Sequence, residues 1–167
     1  EVGLATALQW LPMLLIGAWA GGFADRRRKY RLAIVTQLLL AGQAFATAIL
    51  DLTGAINMPI VYVLSLVVGV INAIDNPARR GFVTELVAAD EISNVVSLNT
   101  AVMTGSRVFG PALTAVLIGP LGTGWLFMVN AISFTAILGA LLAIRTDELY
   151  PAPIAPRGGT PVRDGLR

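Results

Sequence analysis

Long stretches without charge set the terms for everything this chain can fold into. Residues 2–24, 32–50 and 52–74 contain no charged side chain, and residues 92–144 contain only Arg107. A helix needs about 20 residues to cross the ~30 Å of hydrocarbon in a bilayer, so each of the first three runs is long enough for one crossing. The fourth is long enough for two. The segment Gly119-Pro120-Leu121-Gly122-Thr123-Gly124 divides it, because consecutive glycine and proline residues do not continue a helix. The predicted spans are 2–24, 32–51, 58–75, 93–118 and 124–144. The fold class is therefore all-α and membrane-embedded. A soluble alternative fails on charge: only 13% of residues are charged and 56% are hydrophobic, whereas a water-exposed shell needs roughly 25% charged residues.

The basic residues orient these spans. Arg26, Arg27, Arg28, Lys29 and Arg31 lie between the first and second, Arg79 and Arg80 between the third and fourth, and Arg145, Arg157, Arg163 and Arg167 after the fifth. With five crossings, all of these fall on one side. The connections around 51–57 and 119–124 hold no Lys or Arg. The positive-inside rule puts the basic side in the cytoplasm of a plasma-membrane protein and Glu1 outside. An outside start without a leader implies an earlier helix. Glu1-Val2-Gly3-Leu4 has neither an initiating Met nor a basic n-region, so it reads as the interior of a longer protein. Residues 1–145 form a partial transmembrane domain. Residues 146–167, with Pro151, Pro153, Pro156 and Pro161, read as a cytoplasmic linker toward a second half.

Composition also removes chemistries. The chain has no Cys and no His, which excludes thiolate catalysis, histidine proton relays and metal sites built on those ligands. No cofactor, no metal and no nucleic-acid partner is expected, since the basic clusters sit at helix ends where topology accounts for them. An enzyme is not expected either, because few nucleophile–base pairs remain to build one from.

Two segments carry a more specific pattern. The first is Gly21-Gly22-Phe23-Ala24-Asp25-Arg26-Arg27-Arg28-Lys29-Tyr30-Arg31. A carboxylate at a helix end followed by a basic turn can latch two helices together; attraction of the basic turn to anionic lipid is the blander reading. The second runs from Asp75 through Asn76-Pro77-Ala78-Arg79-Arg80 and Glu85-Leu86-Val87 to Asp90-Glu91-Ile92, then Asn99 and Arg107-Val108-Phe109-Gly110-Pro111. Here Pro77 is expected to end one helix and Asp90 to cap the next.

Together these segments resemble the major facilitator superfamily. Its loop between helices two and three reads Gly-x-x-x-Asp-[Arg/Lys]-x-Gly-[Arg/Lys]-[Arg/Lys], and Gly21, Asp25, Arg26 and Lys29 match it. Arg28 replaces the second Gly, and Tyr30 replaces the last basic residue. The second segment is similar to the inner loop and fifth helix of drug and siderophore exporters of the macrolide-efflux and enterobactin-exporter type. The resemblance implies that the spans are helices two to six of a twelve-helix transporter. It assigns Asp25, Lys29 and Asp75 to a gate between transporter halves, with Arg26 in support, and Gly21, Pro77, Arg79, Arg80, Gly110 and Pro111 to the surrounding motifs. It also implies efflux of drug-like or siderophore-like molecules by alternating access, driven by an ion gradient such as protons, in an antiporter whose first helix and second half complete the path. The exporter motif on the fifth helix is half present, with Thr114 and Ala115 where its later glycines stand. A non-functional truncated fragment, a channel and a membrane enzyme are the alternatives.

Arg107 stands apart, about fifteen residues into its span. Insertion of arginine at the helix centre costs about 2.5–3.5 kcal/mol, so its charge needs a partner. No Asp or Glu lies mid-membrane in the five spans. The counter-charge is expected on another helix or on an anionic substrate; satisfaction by amides or by carbonyls freed near Gly110-Pro111 is the structural alternative. For Gln9, Gln37, Gln43, Asn72, Asn99, Thr104, Asn130 and Ser133, helix-to-helix hydrogen bonding is the first expectation and cavity lining the second. Gly17 and Gly21 form a GxxxG step expected to mark a helix contact.

Overall fold

The computed structural model describes residues 2–150, with the side chains of Val2 and Asp25 outside that description. The described residues form helices α1 (Val2–Asp25), α2 (Lys29–Leu52), α3 (Met58–Thr84) and α4 (Ile92–Ala143), with a 3-10 turn at Ala89–Glu91 ahead of α4. There are no strands among them. All four helices are long and apolar enough to cross a membrane.

Four helices stand where five spans were expected, because 93–118 and 124–144 are the two limbs of α4, joined across a break at Gly122. The division falls where the glycines and Pro120 placed it, but it occupies one residue. Gly122 has φ 74° and ψ 170°, and helix continues on both sides. At 1.5 Å per residue the 52 residues of α4 would extend about 78 Å if straight, over twice the hydrocarbon thickness. Instead the second limb returns along α2. The Thr123 hydroxyl donates to Asp51 Oδ2 at one end of α2, and the Tyr30 hydroxyl donates to the Leu141 carbonyl at the other, 3.1 Å away.

Two boundaries depart from the sequence reading. Pro77 does not end a helix: α3 runs through it to Thr84. Proline removes one N–H, but the helix tolerates this where neighbouring segments re-satisfy the backbone, and Ala78 and Phe82 beyond it are buried against the bundle. Asp90 does not cap α4. It lies in the 3-10 turn, and the N-cap position belongs to Glu91, which makes no side-chain cap. The start of α3 is capped as the residues dictate, with Asn57 Oδ1 accepting from the Ile60 N–H at 3.1 Å.

Packing follows the order α1, α3, α2, second limb of α4, while the first limb of α4 leans lightly on α3. The interior is inverted relative to a water-soluble domain. Ala48 and Ala78 are fully buried, as are Ala24, Ala33, Ala44 and Ala73, whereas Leu14 and Trp19 are 83% and 81% exposed. In lipid, no hydrophobic force drives large apolar groups inward. Small residues therefore take the helix contacts and let backbones approach. The tightest approach is at Gly69, where a Cβ would overlap the Gln9 carbonyl oxygen of α1. The Gly17–Gly21 step makes no such contact among the described residues: a Cβ at Gly21 would meet nothing within 4 Å, and one at Gly17 only Met13 of its own helix.

Candidate functional site

The polar interior of the bundle gathers where α2 faces α3, at the end that carries the basic turn. Two stripes meet there in antiparallel register. On α3, Asp75, Ala78, Phe82 and the C-cap Glu85 recur at three- and four-residue spacing and are all buried. On α2, Lys29, Ala33, Thr36, Gln37 and Leu40 form the facing stripe.

Asp75 is 4% exposed and fully engaged. Its Oδ1 accepts from the Thr36 hydroxyl at 2.6 Å, and its Oδ2 accepts from Arg79 Nη2 at 2.8 Å and Nε at 3.1 Å. Thr36 Oγ1 also lies 3.0 Å from the Leu32 carbonyl and 3.1 Å from that of Ala33. A hydroxyl has one proton, and the shortest contact goes to the carboxylate, as a charge-assisted bond should. Beside Thr36, Gln37 is 2% exposed and its Oε1 has no donor among the described residues. Leaving such an acceptor buried costs about 1–3 kcal/mol.

About two turns nearer the end of α2, Lys29 Nζ pairs with Glu85 Oε1 at 3.3 Å. The Lys29 stem lies across Gly81, where a Cβ would come within 2.7 Å of it. Tyr30 packs on Phe82 with ring centroids 5.9 Å apart. The Tyr150 N–H donates to the Glu85 carbonyl at 2.9 Å. The first residues of the segment assigned to a linker are thereby held against α3; residues 151–167 lie outside the described residues.

Beside this network, α3 and the first limb of α4 enclose a groove of about 390 Å³, lined by Arg80 and Val83 on one wall and by Asn99, Thr100, Thr104 and Arg107 among others on the second. Arg80 was expected in a loop; it sits inside α3 because the helix continues past Pro77. Gly110 and Pro111 lie farther along α4, where Gly110 borders a shallow apolar depression with Phe109 and Leu113. They touch neither the ionic network nor the groove.

The structure thus joins Asp75 to Arg79 and sets Arg80 and Arg107 on the lining of one groove, while it pairs Lys29 with Glu85 and not with Asp75. Asp25 falls on a side chain outside the description. Arg26 is exposed just past the end of α1, its N–H bonded to the Phe23 carbonyl at 3.3 Å. Sequence reasoning missed Thr36 and Glu85 as partners. Glu85 was legible as the end of the Asp75–Ala78–Phe82 stripe, but only on a helix that continues through Pro77.

Over its whole length, residues 1–167, the chain matches the family model described as transmembrane secretion effector, a branch of the major facilitator superfamily. It belongs to that family. It is 26% identical over 142 residues to the staphyloferrin A transporter of Staphylococcus aureus (strain NCTC 8325 / PS 47), a match covering 82% of this chain and 35% of the relative. It is 27% identical over 161 residues to the uncharacterized MFS-type transporter YfiS of Bacillus subtilis (strain 168), covering 94% of this chain and 37% of the relative. The chain therefore spans little more than a third of the length of these relatives. No solved structure is significantly similar to it. With its apolar helices, family membership makes this a multi-pass membrane protein.

Proposed function

We propose that this chain supplies helices two to six of a larger secondary transporter that expels an amphipathic small molecule, drug-like or siderophore-like, from the cytoplasm. The basic end faces the cytoplasm of a plasma-membrane protein, and an additional helix and a second half, packed on the exposed first limb of α4, complete the path. Transport proceeds by alternating access as the halves rock about a midplane site.

The observation that carries this reading is the pair of ionic contacts at the basic end, Lys29–Glu85 and Arg79–Asp75 with Thr36. Buried ion pairs stabilise only when their geometry is good, so a small tilt of α2 against α3 weakens the Lys29–Glu85 contact steeply. Such an element has two states, made and broken, which is what a gate needs. Lys29 and Asp75 then belong to one gate through different partners, Glu85 and Arg79, with Asp25 and Arg26 on the adjoining turn. The name of the Staphylococcus aureus relative supports a siderophore-like cargo.

The test is accumulation in cells lacking their own pumps and carrying the complete reading frame around this chain. Lower accumulation of dyes or siderophores, saturable and abolished by collapsing the proton gradient, is the expected result. Unchanged accumulation across such a panel would favour an inactive fragment, and flux without saturation would favour a channel.

A further inference from the structure

We propose that the groove between α3 and the first limb of α4 binds the carboxylate of an organic anion, held by Arg80 and Arg107. This deepens the transport reading by naming the chemistry of the cargo.

The α4 wall is one helical stripe. Val96, Asn99, Thr100, Met103, Thr104 and Arg107 recur at three- and four-residue spacing and face Arg80 of α3. At about 390 Å³ the space falls within the ~300–1,000 Å³ of small-molecule sites. Its lining holds two guanidinium groups and no acid. The two walls do not neutralise them. α4 contains no Asp or Glu. α3 and its C-cap carry two carboxylates, and both are occupied, Asp75 by Arg79 and Thr36 and Glu85 by Lys29. Asp90 and Glu91 precede α4, about 24 Å below Arg107 by helical rise, and neither forms an ion pair among the described residues.

The remaining polar groups also favour an acceptor-rich ligand. The Thr104 hydroxyl makes no hydrogen bond among the described residues, and the Asn99 amide reaches only the Met103 sulfur at 3.6 Å. Two planar forks of N–H donors match the geometry of carboxylates, while Val83, Val96 and Met103 offer an apolar wall to the rest of the molecule. A lipid phosphate would present similar oxygens. Arg107, however, lies fifteen residues and about 23 Å along α4 from its basic-end start, deeper than a headgroup sits.

The experiment uses the full-length transporter in phosphatidylcholine nanodiscs, with carboxyfluorescein as the anionic probe, uncharged Nile red as the control, and anisotropy as the readout. Arg80→Gln and Arg107→Gln should each weaken carboxyfluorescein binding about tenfold or more, the equivalent of one lost charge-assisted contact. Nile red binding should not change, which also shows that the variants are folded, and Arg107→Lys should retain part of the affinity. The proposal is overturned if the wild type does not bind carboxyfluorescein or if both Gln variants bind it as the wild type does. It is equally overturned, in favour of a headgroup site, if phosphatidylglycerol displaces the dye as completely as loss of the arginines. The transport reading is judged separately: anion binding without any export in cells sinks that reading alone, and Nile red export without anion binding sinks the anion site alone.

Discussion

Lys29 at the start of α2 and Glu85 at the end of α3 form an ion pair of 3.3 Å whose side chains are 15% and 9% exposed. The contact spans two helices that meet in antiparallel register, and the same Glu85 accepts the Tyr150 N–H through its backbone. One residue thereby ties three segments of the chain together at the basic end. Asp75, ten residues earlier on the same stripe, is held by its own partners and leaves Lys29 to Glu85.

Removing one member of this pair should destabilise the full-length protein more than removing both. A charge left buried without its partner costs about 3–5 kcal/mol, the desolvation of the survivor being uncompensated. Lys29→Met and Glu85→Gln should each lower the thermal unfolding midpoint in detergent, and the double variant should recover part of the loss. Coupling of about 0.5–3 kcal/mol in a double-mutant cycle is expected. Additive effects would mean the pair does not form.

Thr36→Val should be destabilising although it preserves shape. It removes the hydroxyl that donates to Asp75 at 2.6 Å, and hydrogen bonds to charged groups contribute about 1.5–3 kcal/mol. Thr36→Ser keeps the donor and should cost clearly less. Equal unfolding midpoints for the two variants would show that the hydroxyl is not engaged with the carboxylate.

Gly122→Ala should weaken the reversal in α4. Its φ of 74° and ψ of 170° lie in a region open essentially only to glycine, and a side chain there costs about 1–3 kcal/mol. Gly119→Ala is the matched control: that position is helical with nothing within 4 Å of a new Cβ, so alanine should be neutral or stabilising. Thermal unfolding of both variants decides it, and equal effects would contradict the reversal at Gly122.

The absence of cysteine in the chain makes topology directly measurable. Arg28→Cys and Ala55→Cys, introduced singly into an otherwise cysteine-free full-length protein, should react with an impermeant maleimide from opposite sides of the membrane. They lie at opposite ends of α2. Labelling of both from the same side would remove the orientation, and with it the gate proposed at the basic end.

Much of the architecture was legible from charge alone. Uncharged runs long enough to cross a bilayer must be helical there, because hydrocarbon offers no partner for an open backbone, and the basic residues at alternate helix ends mark one end of the bundle as basic. The reversal at 119–124 was legible because glycine and proline act on their own backbone, whatever packs around them. Pro77 shows the limit of that logic. Read locally it is a helix end, but the bundle buries Ala78 and Phe82 beyond it and carries α3 on to Thr84, which moves Arg80 from a loop onto the groove wall.

The ionic partners were not legible for a related reason. Lys29 has Asp75 and Glu85 on the same stripe of the facing helix, and sequence spacing does not choose between them. Register does, since Gly81 gives the Lys29 stem its passage while Arg79 and Thr36 already saturate Asp75. Local composition determined that this chain is helical and apolar enough to cross a membrane, where α4 reverses, and which end is basic, because those follow from the solvation and backbone of each segment by itself. Which charges meet, and which arginines are left to face a groove, was decided only by the tertiary structure, because pairing depends on the axial offset of two helices, which neither helix sets by itself.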